Sequence, residues 1–412
     1  MYIKRKEFIQ IGSLATASLL VPKFLKAFEG PSFVMPGNKV IVILQLSGGN
    51  DGLNTVIPYR NDLYHKARPV LGIKKESALH LTDEVGLHPT LTALKDLYDD
   101  GSLSILNNVG YPNPDRSHFR SMDIWQSGSG SNEYWTNGWV GRYLDAQCPP
   151  SSNGNYAQNK GCGKPTQAIE IDDVLSLALK GEELNGIAVK DPKRLYGTAN
   201  QKYFKDIMQV HGDVNMTSEQ PIDYLYKTLS ETLSSADYIF KQSRLHPTNA
   251  VYPTTELGRS LKTIASLIFS DINTKVYYVS LGSFDTHTYQ EGRQARLFTE
   301  MNDAIKAFVK DLKAQHRFED VLLFTFSEFG RRVSQNASNG TDHGTANNML
   351  MVGGGLKQKG LINAMPDLAN LDAGDLKYNI DFKSVYATIL HKWLQADDQL
   401  ILKKQYEYLN FI

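Results

Sequence analysis

Apolar runs of six or seven residues alternate along this chain with segments of helical periodicity, as in an α/β fold. Buried strands are predicted at Val40–Leu46, Val276–Leu281 and Val321–Phe326. Between the last two, Gln290–Leu312 carries apolar residues every three to four positions, which predicts an amphipathic crossover helix. Further strands are predicted at Ser102–Asn107 and Met349–Val352, and helices at Ala93–Asp99, from Ser117 towards Trp125, and at Asp381–Leu394.

Acids, histidines and a hydroxyl follow these strands or lie close to them. The segments are Asn50-Asp51-Gly52, Ser283 to His287, Ser327 to Gly330, and Asp342-His343-Gly344. Ligands of open α/β sheets collect outside the carboxyl ends of the strands, and oxygen and imidazole groups suit a divalent metal. The pattern predicts a metal site at one edge of the sheet.

The predicted metal ligands are Asp51, Asp285, His287, Glu328 and His343. Asp285 and His287 are two positions apart, so an extended segment directs both side chains to one face. Two other interpretations stay open. Asp51 precedes a glycine and could bond its own turn. Glu328 could form an ion pair with Arg331 or Arg332.

Ser117 is the candidate nucleophile, because the N-terminus of a helix stabilises an alkoxide and attracts an anion. The alternative for Ser117 is a plain capping serine. His118 beside it could assist catalysis or merely pack. Arg116, Arg120 and Arg331 are candidate substrate-binding residues, since a guanidinium matches the oxygens of phosphate or sulfate.

Composition and the absence of two motifs argue against three classes of function. The 44 Lys and Arg residues balance 44 Asp and Glu residues, so the chain lacks the excess of positive charge that would predict nucleic-acid binding. Ser127 to Ser131 lacks the Gly-x-Ser-x-Gly spacing of an acyl hydrolase. The turn after the first strand lacks the Gly-x-Gly-x-x-Gly of a dinucleotide site.

The N-terminus predicts export. A basic head at Lys4-Arg5-Lys6 precedes a short apolar stretch, Ile11–Val21, so residues 1–30 resemble a twin-arginine or general secretory signal. An uncleaved anchor and an ordinary first helix are the alternatives. Cys148 and Cys162 flank a polar loop and could form a disulfide in an oxidising periplasm, or remain free thiols. No transmembrane helix is expected in the mature chain.

The motifs together resemble an exported bacterial family known as domain of unknown function fifteen-oh-one. They are Gly48 to Asn54, Ser117-His118-Phe119, Phe284 to His287, Ser327 to Arg331, and Asp342 to Gly344. That family is similar to the alkaline phosphatase and sulfatase superfamily. The resemblance implies a three-layer α/β sandwich with a mixed, mostly parallel sheet flanked by helices. It also implies a single domain over residues 31–412. Within it, the mixed pattern of loops and a few short strands predicts an irregular insertion around 146–215.

By the same resemblance, Asp51, Ser117 and Glu328 would serve one metal, and Asp285, His287 and His343 a second. Phe329 stands where the superfamily often has a histidine ligand. One or two divalent ions, Zn, Mn, Mg or Ca, are implied. The resulting hypothesis is a periplasmic or secreted metal-dependent hydrolase of phosphate or sulfate esters, with a small-molecule or glycan substrate. The alternative is a cell-envelope binding or assembly protein, with a protein partner, that keeps the fold without turnover.

Overall fold

The computed structural model describes residues 38–148, 167–201, 235–270 and 272–412. The chain divides into two compact units. The larger unit comprises Gly37–Trp135, Asn249–Lys262 and Tyr278–Ile412, and the described part of the smaller unit falls within Thr136–Thr248 and Thr263–Tyr277. All the predicted site residues belong to the larger unit.

The larger unit is built on a mixed sheet whose neighbouring strands run in the order β11-β5-β10-β9-β1-β8, with β12 also pairing β5. Strands β1 and β9 are parallel, with Val40 opposite Val321, and β11 and β12 run parallel to β5. Strand β10 is antiparallel to β9 and to β5. These strands are β1 (Val40–Leu46), β5 (Leu103–Gly110), β8 (Val276–Leu281), β9 (Val321–Phe326), β10 (Asn347–Val352), β11 (Gly360–Leu361) and β12 (Ile380–Asp381).

A second, antiparallel sheet in this unit has the order β2-β4-β3. Its strands are β2 (Val56–Ile57), β3 (Leu79–His80) and β4 (Gly86–Leu87). The smaller unit contains the parallel pair β6 (Ala168–Glu170) and β7 (Ile187–Ala188).

Helices flank the main sheet. The described helices of the larger unit are Gly52–Thr55, Asp62–Ala67, Thr92–Asp99, His118–Ser127, Gln290–Ala314, Phe382–Thr388 and Asp398–Leu402. Trp139–Gln147 and Pro192–Ala199 belong to the smaller unit, and Glu256–Phe269 has residues in both. Among the described residues, no helix is both long enough and apolar enough to cross a membrane.

The hydrophobic pattern explains this architecture. Every residue of β1 and of β9 is buried, as expected for central parallel strands covered on both faces. The helix Gln290–Ala314 buries one stripe, which includes Leu297, Met301 and Ile305. The predicted fold class, a mixed and mostly parallel sheet flanked by helices, is therefore confirmed.

The strands predicted at Val40–Leu46, Val276–Leu281 and Val321–Phe326 have the observed bounds. The predicted C-terminal helix differs from the observed one. It runs over Phe382–Thr388 and continues as a π-helical turn, Ile389–Trp393, instead of extending to Leu394 as one α-helix.

Several predictions fall on other parts of the chain. The export signal, residues 1–30, lies outside the described residues. The predicted insertion, 146–215, falls in the smaller unit, and its residues 149–166 and 202–215 are also outside the described part. Cys148 is disulfide-bonded. Its predicted partner, Cys162, is again outside the described residues.

Candidate functional site

Three imidazole nitrogens and one carboxylate oxygen face each other at the edge of the main sheet. Asp285 Oδ1 lies 3.1 Å from His287 Nε2, 3.3 Å from His343 Nε2 and 3.7 Å from His118 Nε2. The Nε2 atoms of His287 and His343 are 3.0 Å apart. Within the described part of the chain, the ligand atoms of His118, Asp285 and His343 all lie within 4.8 Å of one another. We call His118, Asp285, His287 and His343 the His/Asp cluster.

Each histidine of the His/Asp cluster donates a hydrogen bond from Nδ1 to an oxygen on its far side. The acceptors are Glu328 Oε1 for His118 (2.8 Å), Asp342 Oδ1 for His287 (3.1 Å) and the main-chain oxygen of Arg116 for His343 (2.8 Å). Because a carboxylate or carbonyl oxygen can only accept, each Nδ1 carries the proton. In the neutral imidazoles, every Nε2 therefore presents a lone pair to the same small region.

Chain segments after neighbouring strands bring these groups together. Asp285 and His287 follow β8, and the turn after β1 is joined to that loop by the hydrogen bond from Phe284 N to Ser47 O, 3.1 Å. His343 lies opposite Arg331 in an antiparallel bridge, so it is held beside the segment that follows β9. His118 is the first residue of the helix His118–Ser127.

Gly48 permits the close approach of the turn after β1. Its φ is +116°, and a Cβ there would lie 2.4 Å from the main-chain nitrogen of Asp285. Only glycine fits such a position without moving the neighbouring loop. Gly48 thereby helps to determine where Asp285 lies.

The surroundings shift the pKa values of three members of the cluster. The hydrogen bond to Glu328 raises the pKa of His118 most strongly, while burial opposes it. Burial is the largest cause of the lowered pKa of His343, and the Arg331 guanidinium and His118 lower it further. For Asp285, burial raises the pKa, but the hydrogen bond and charge of Arg331 together with His287 outweigh it, so the net pKa is lowered.

Glu328, a predicted metal ligand, lies behind His118. It is buried, and its Oε1 accepts from Gly48 N at 2.8 Å as well as from His118. The carboxylate therefore orients the imidazole and fixes its tautomer, as the outer partners of metal-binding histidines do. Phe329 follows it, and its ring packs 4.9 Å from that of His118 and 4.6 Å from that of His343.

Asp51, the other predicted carboxylate ligand, pairs with a buried arginine. Arg68 donates to both of its oxygens, at 2.5 and 3.0 Å, and Gln290 donates to Oδ2. Asp51 also caps the short helix that begins at Gly52, accepting from Leu53 N at 3.2 Å. Its carboxylate is thus committed to the scaffold in this structure, and it is not a member of the His/Asp cluster.

Arg331 is also part of the scaffold. Its side chain is 0% exposed, so the predicted contact with substrate is not available in this conformation. Its guanidinium donates to the main-chain oxygens of the loops around the site and to Asp285 Oδ1 at 2.7 Å. The main-chain acceptors are Gly48, Gly49 (2.6 Å), Phe284 (3.0 Å) and Thr341 (2.9 Å).

Arg332 and Arg116, by contrast, reach solvent. Their side chains are 40% and 43% exposed, and both face the buried carboxylate of Asp375. Arg116 Nε donates to Asp375 Oδ2 at 3.0 Å, and Arg332 Nε lies 3.8 Å from Oδ1. The main-chain oxygen of Arg116 also holds His343. Two partly exposed guanidinium groups therefore share one anchor beside the His/Asp cluster.

Ser117 lies between Arg116, whose main-chain oxygen holds His343, and His118, a member of the His/Asp cluster. It is the N-cap residue of the helix His118–Ser127, yet its side chain makes no capping hydrogen bond. Arg120, a further predicted substrate-binding residue, is used elsewhere. It donates to the main-chain oxygens of Gly130, Ser131 and Glu133, at 3.0, 2.9 and 2.5 Å, and stacks on Tyr134.

Sequence reasoning missed four residues of this neighbourhood: Asp342 as the support of His287, Asp375 as the anchor of the two arginines, Arg68 as the partner of Asp51, and His118 as a possible ligand. Asp342 stands next to His343 in the sequence, which was a usable signal. Arg68 and Asp375 lie in segments with no motif, so their roles depend on long-range packing.

A family model described as "Protein of unknown function (DUF1501)" matches residues 38–407. The chain belongs to this family. The match covers the whole of the larger unit except its ends, so the DUF1501 assignment includes every residue of the His/Asp cluster. No curated protein shows significant similarity to this DUF1501 chain.

Solved structures similar to this DUF1501 protein share little sequence with it. The PsFucS1 sulfatase from Pseudoalteromonas sp. is 12% identical, with 99% of this chain and 75% of that chain covered and a TM-score of 0.39. The lipoteichoic acid synthase LtaP from Listeria monocytogenes is 10% identical, with coverage of 85% and 73% and a TM-score of 0.32. A protein in the alkaline phosphatase superfamily from Vibrio parahaemolyticus is 10% identical, with coverage of 85% and 69% and a TM-score of 0.29.

Proposed function

We propose that this protein is an exported, metal-dependent hydrolase of phosphate or sulfate esters. One observation carries the proposal. Three Nε2 lone pairs face one carboxylate oxygen at 3.1 to 3.7 Å, while each Nδ1 is used by an acceptor behind it. Such an arrangement of electron pairs is repulsive unless protons on the imidazoles or a metal cation lie between them.

The donor set fits a single transition-metal ion. Imidazole nitrogen with one carboxylate suits Zn, with Mn next, better than Mg or Ca, which prefer oxygen ligands. His118, Asp285 and His343 would hold the ion, with His287 within 3.1 Å of Asp285 Oδ1 as a fourth candidate. When bound, a divalent ion supplies Lewis acidity to an ester oxygen and neutralises developing negative charge.

The chain's own groups would recognise the anionic end of the ester. Arg116 and Arg332, oriented by Asp375, can donate to phosphate or sulfate oxygens from partly exposed positions. The N-terminus of the helix His118–Ser127 adds positive potential at Ser117. Phe119 is 87% exposed beside it and would contact the organic part of a small-molecule or glycan ester.

Ser117 remains the proposed nucleophile. Its hydroxyl is not used for capping. One of its neighbours, His118, is a member of the His/Asp cluster, and the other, Arg116, holds His343 through its main-chain oxygen. Attack by Oγ on phosphorus or sulfur would form one bond as the bond to the leaving alcohol breaks. The hydroxyl proton passes to solvent, the departing oxygen is protonated by water, and a second water then releases the acid and regenerates Ser117.

Metal analysis of the purified protein, followed by phosphatase and sulfatase panels with added Zn, Mn, Mg and Ca, tests the proposal. We expect about one Zn or Mn per chain, and turnover that Ser117→Ala abolishes. Ser77→Ala, which changes another exposed serine of the larger unit, is the matched control and should keep full activity. Protein that binds none of the four ions and cleaves no ester would overturn the proposal.

A binding or assembly protein of the cell envelope is the second candidate. It is favoured by the commitment of Asp51 to Arg68 and by the apolar Phe329 ring, which packs against the rings of His118 and His343. Metal at one ion per chain without turnover on any ester would favour this candidate. The disulfide at Cys148 supports export in either case, since such bonds persist in oxidising compartments.

A further inference from the structure

The larger unit contains a cavity whose lining includes no member of the His/Asp cluster. Its volume is about 330 Å³, and it lies between the loop Gly130–Trp135 and the residues around Lys383 and Lys403. That volume is in the range of small-molecule pockets in proteins. The loop is fastened from behind by Arg120, so this side of the cavity is held in place.

Lys383 is the buried charge of this cavity. Its side chain is 6% exposed, and its Nζ pairs with Asp381 Oδ1 at 3.5 Å and lies 4.8 Å from the Phe382 ring centroid. The Tyr406 ring centroid is 6.0 Å from Nζ. An ammonium group has three donors, and none of these three contacts is a short hydrogen bond. Burial is the main cause of a lowered pKa for Lys383, although Asp381 and Glu133 act against it. A hydrogen-bond acceptor on a ligand would bind the N–H groups of Lys383 that make no short hydrogen bond in these contacts.

The rim of the cavity adds positive charge. Lys403 lies with its Nζ 4.6 Å from the Trp135 ring centroid, and Lys404 lies 5.9 Å from that of Tyr406. Three lysines against the two carboxylates of Asp381 and Glu133 give the lining a surplus of one positive charge. A ligand with a single negative charge would balance it.

The two carboxylates and two aromatic rings limit the ligand further. Carboxylates repel a compact dianion such as phosphate, but they accept hydrogen bonds from hydroxyl groups. Trp135 and Tyr406 offer apolar faces against which the C–H face of a sugar ring can pack. A ligand that combines one negative charge, several hydroxyls and an apolar face meets all of these conditions.

We propose that this cavity binds a sugar carboxylate of the hexuronate type. Lys383 pairs with the ligand's carboxylate, Asp381 and Glu133 accept from its hydroxyls, and the ring rests on Trp135 or Tyr406. Lys403, which is exposed, moves aside from the Trp135 ring when the sugar occupies that face. The site does not depend on the proposed hydrolase function, because none of its lining residues belongs to the His/Asp cluster.

Calorimetric titration of the full-length, metal-depleted protein with sodium D-glucuronate tests the proposal, with D-glucose and inorganic phosphate as comparison ligands. Removal of metal excludes carboxylate binding to an ion in the His/Asp cluster. We expect saturable binding of glucuronate, at least tenfold weaker binding of glucose, and no competition by phosphate.

Two variants assign the binding to this cavity. Lys383→Met should weaken glucuronate binding at least tenfold, and Lys404→Glu, at an exposed position, should weaken it severalfold with an unchanged unfolding temperature. Lys310→Met, at an exposed site on the helix Gln290–Ala314, should have no effect. Equal binding of glucose and glucuronate, or loss of binding in Arg332→Gln with none in Lys404→Glu, would overturn the proposal.

Discussion

Replacement of Arg331 by methionine should destabilise the larger unit severely. The buried guanidinium joins the loops after β1, β8 and β9 through four main-chain oxygens and one carboxylate. Methionine has similar length but donates no hydrogen bond. The four carbonyls would lose a charged donor inside the protein, and Asp285 would lose its nearest positive charge.

The magnitude follows from the kind of interaction that is lost. Removal of one partner of a buried charge pair costs about 3–5 kcal/mol, because acceptors are left without donors. Asp285 is half exposed and can be solvated again, so the loss arises mainly from the buried carbonyls. For a unit of this size, about 1 kcal/mol corresponds to roughly 2–4 °C, so we expect a fall of about 6–20 °C in unfolding temperature.

Differential scanning calorimetry at neutral pH measures this effect, with Arg332→Met as the matched control. Arg332 is 40% exposed and its pairing with Asp375 is long, so its loss should cost at most about 1 kcal/mol. Arg331→Lys keeps the charge without the five donors and should fall between the two. We expect Arg331→Met to lower the unfolding temperature by ~6–20 °C. If instead the unfolding temperatures of Arg331→Met and Arg332→Met differ by less than about 2 °C, Arg331 does not hold the loops together.

Three further predictions address the cluster and the smaller unit. Glu328→Gln should weaken Zn binding about 10–100-fold in a chelator competition assay, because the imidazole that it orients loses its carboxylate support; unchanged affinity would contradict this role. Gly48→Ala should also weaken Zn binding, because the added Cβ would displace Asp285. Gly282→Ala, in the loop that carries Asp285, should not weaken it, because a Cβ there meets nothing within 4 Å. Burial raises the pKa of Glu170 from 4.5 to about 8, so the folded state favours the protonated form. The free energy of unfolding of the smaller unit should therefore be highest below pH 4.5 and fall by up to about 5 kcal/mol as the pH rises to 8. Glu170→Gln should remove that pH dependence of the unfolding temperature. If the unfolding temperatures of the variant and the unmodified protein change with pH in the same way, Glu170 is not the group responsible.

Local pattern was sufficient to predict the main elements of this protein. The strands Val40–Leu46, Val276–Leu281 and Val321–Phe326 are continuous apolar runs, and such runs form buried strands wherever both faces of a sheet are covered. The helix Gln290–Ala314 is equally legible, because its apolar stripe repeats with the period of an α-helix. Since polar residues directly follow the three strands, the edge at which Asp285 and His287 lie was predictable as well.

Long-range packing alone decided which polar groups face each other. In the sequence, Arg331 and Arg332 are adjacent and chemically equivalent, yet one is buried beneath the loops and the other reaches solvent. Asp51 and Glu328 both looked like metal ligands, but each met a donor from a distant segment, Arg68 in one case and His118 in the other. The spacing of apolar residues along the sequence indicates which face of a helix or strand is buried. It carries no information about which side chain a loop from elsewhere in the chain will bring opposite that residue, and burial makes such pairings obligatory once formed.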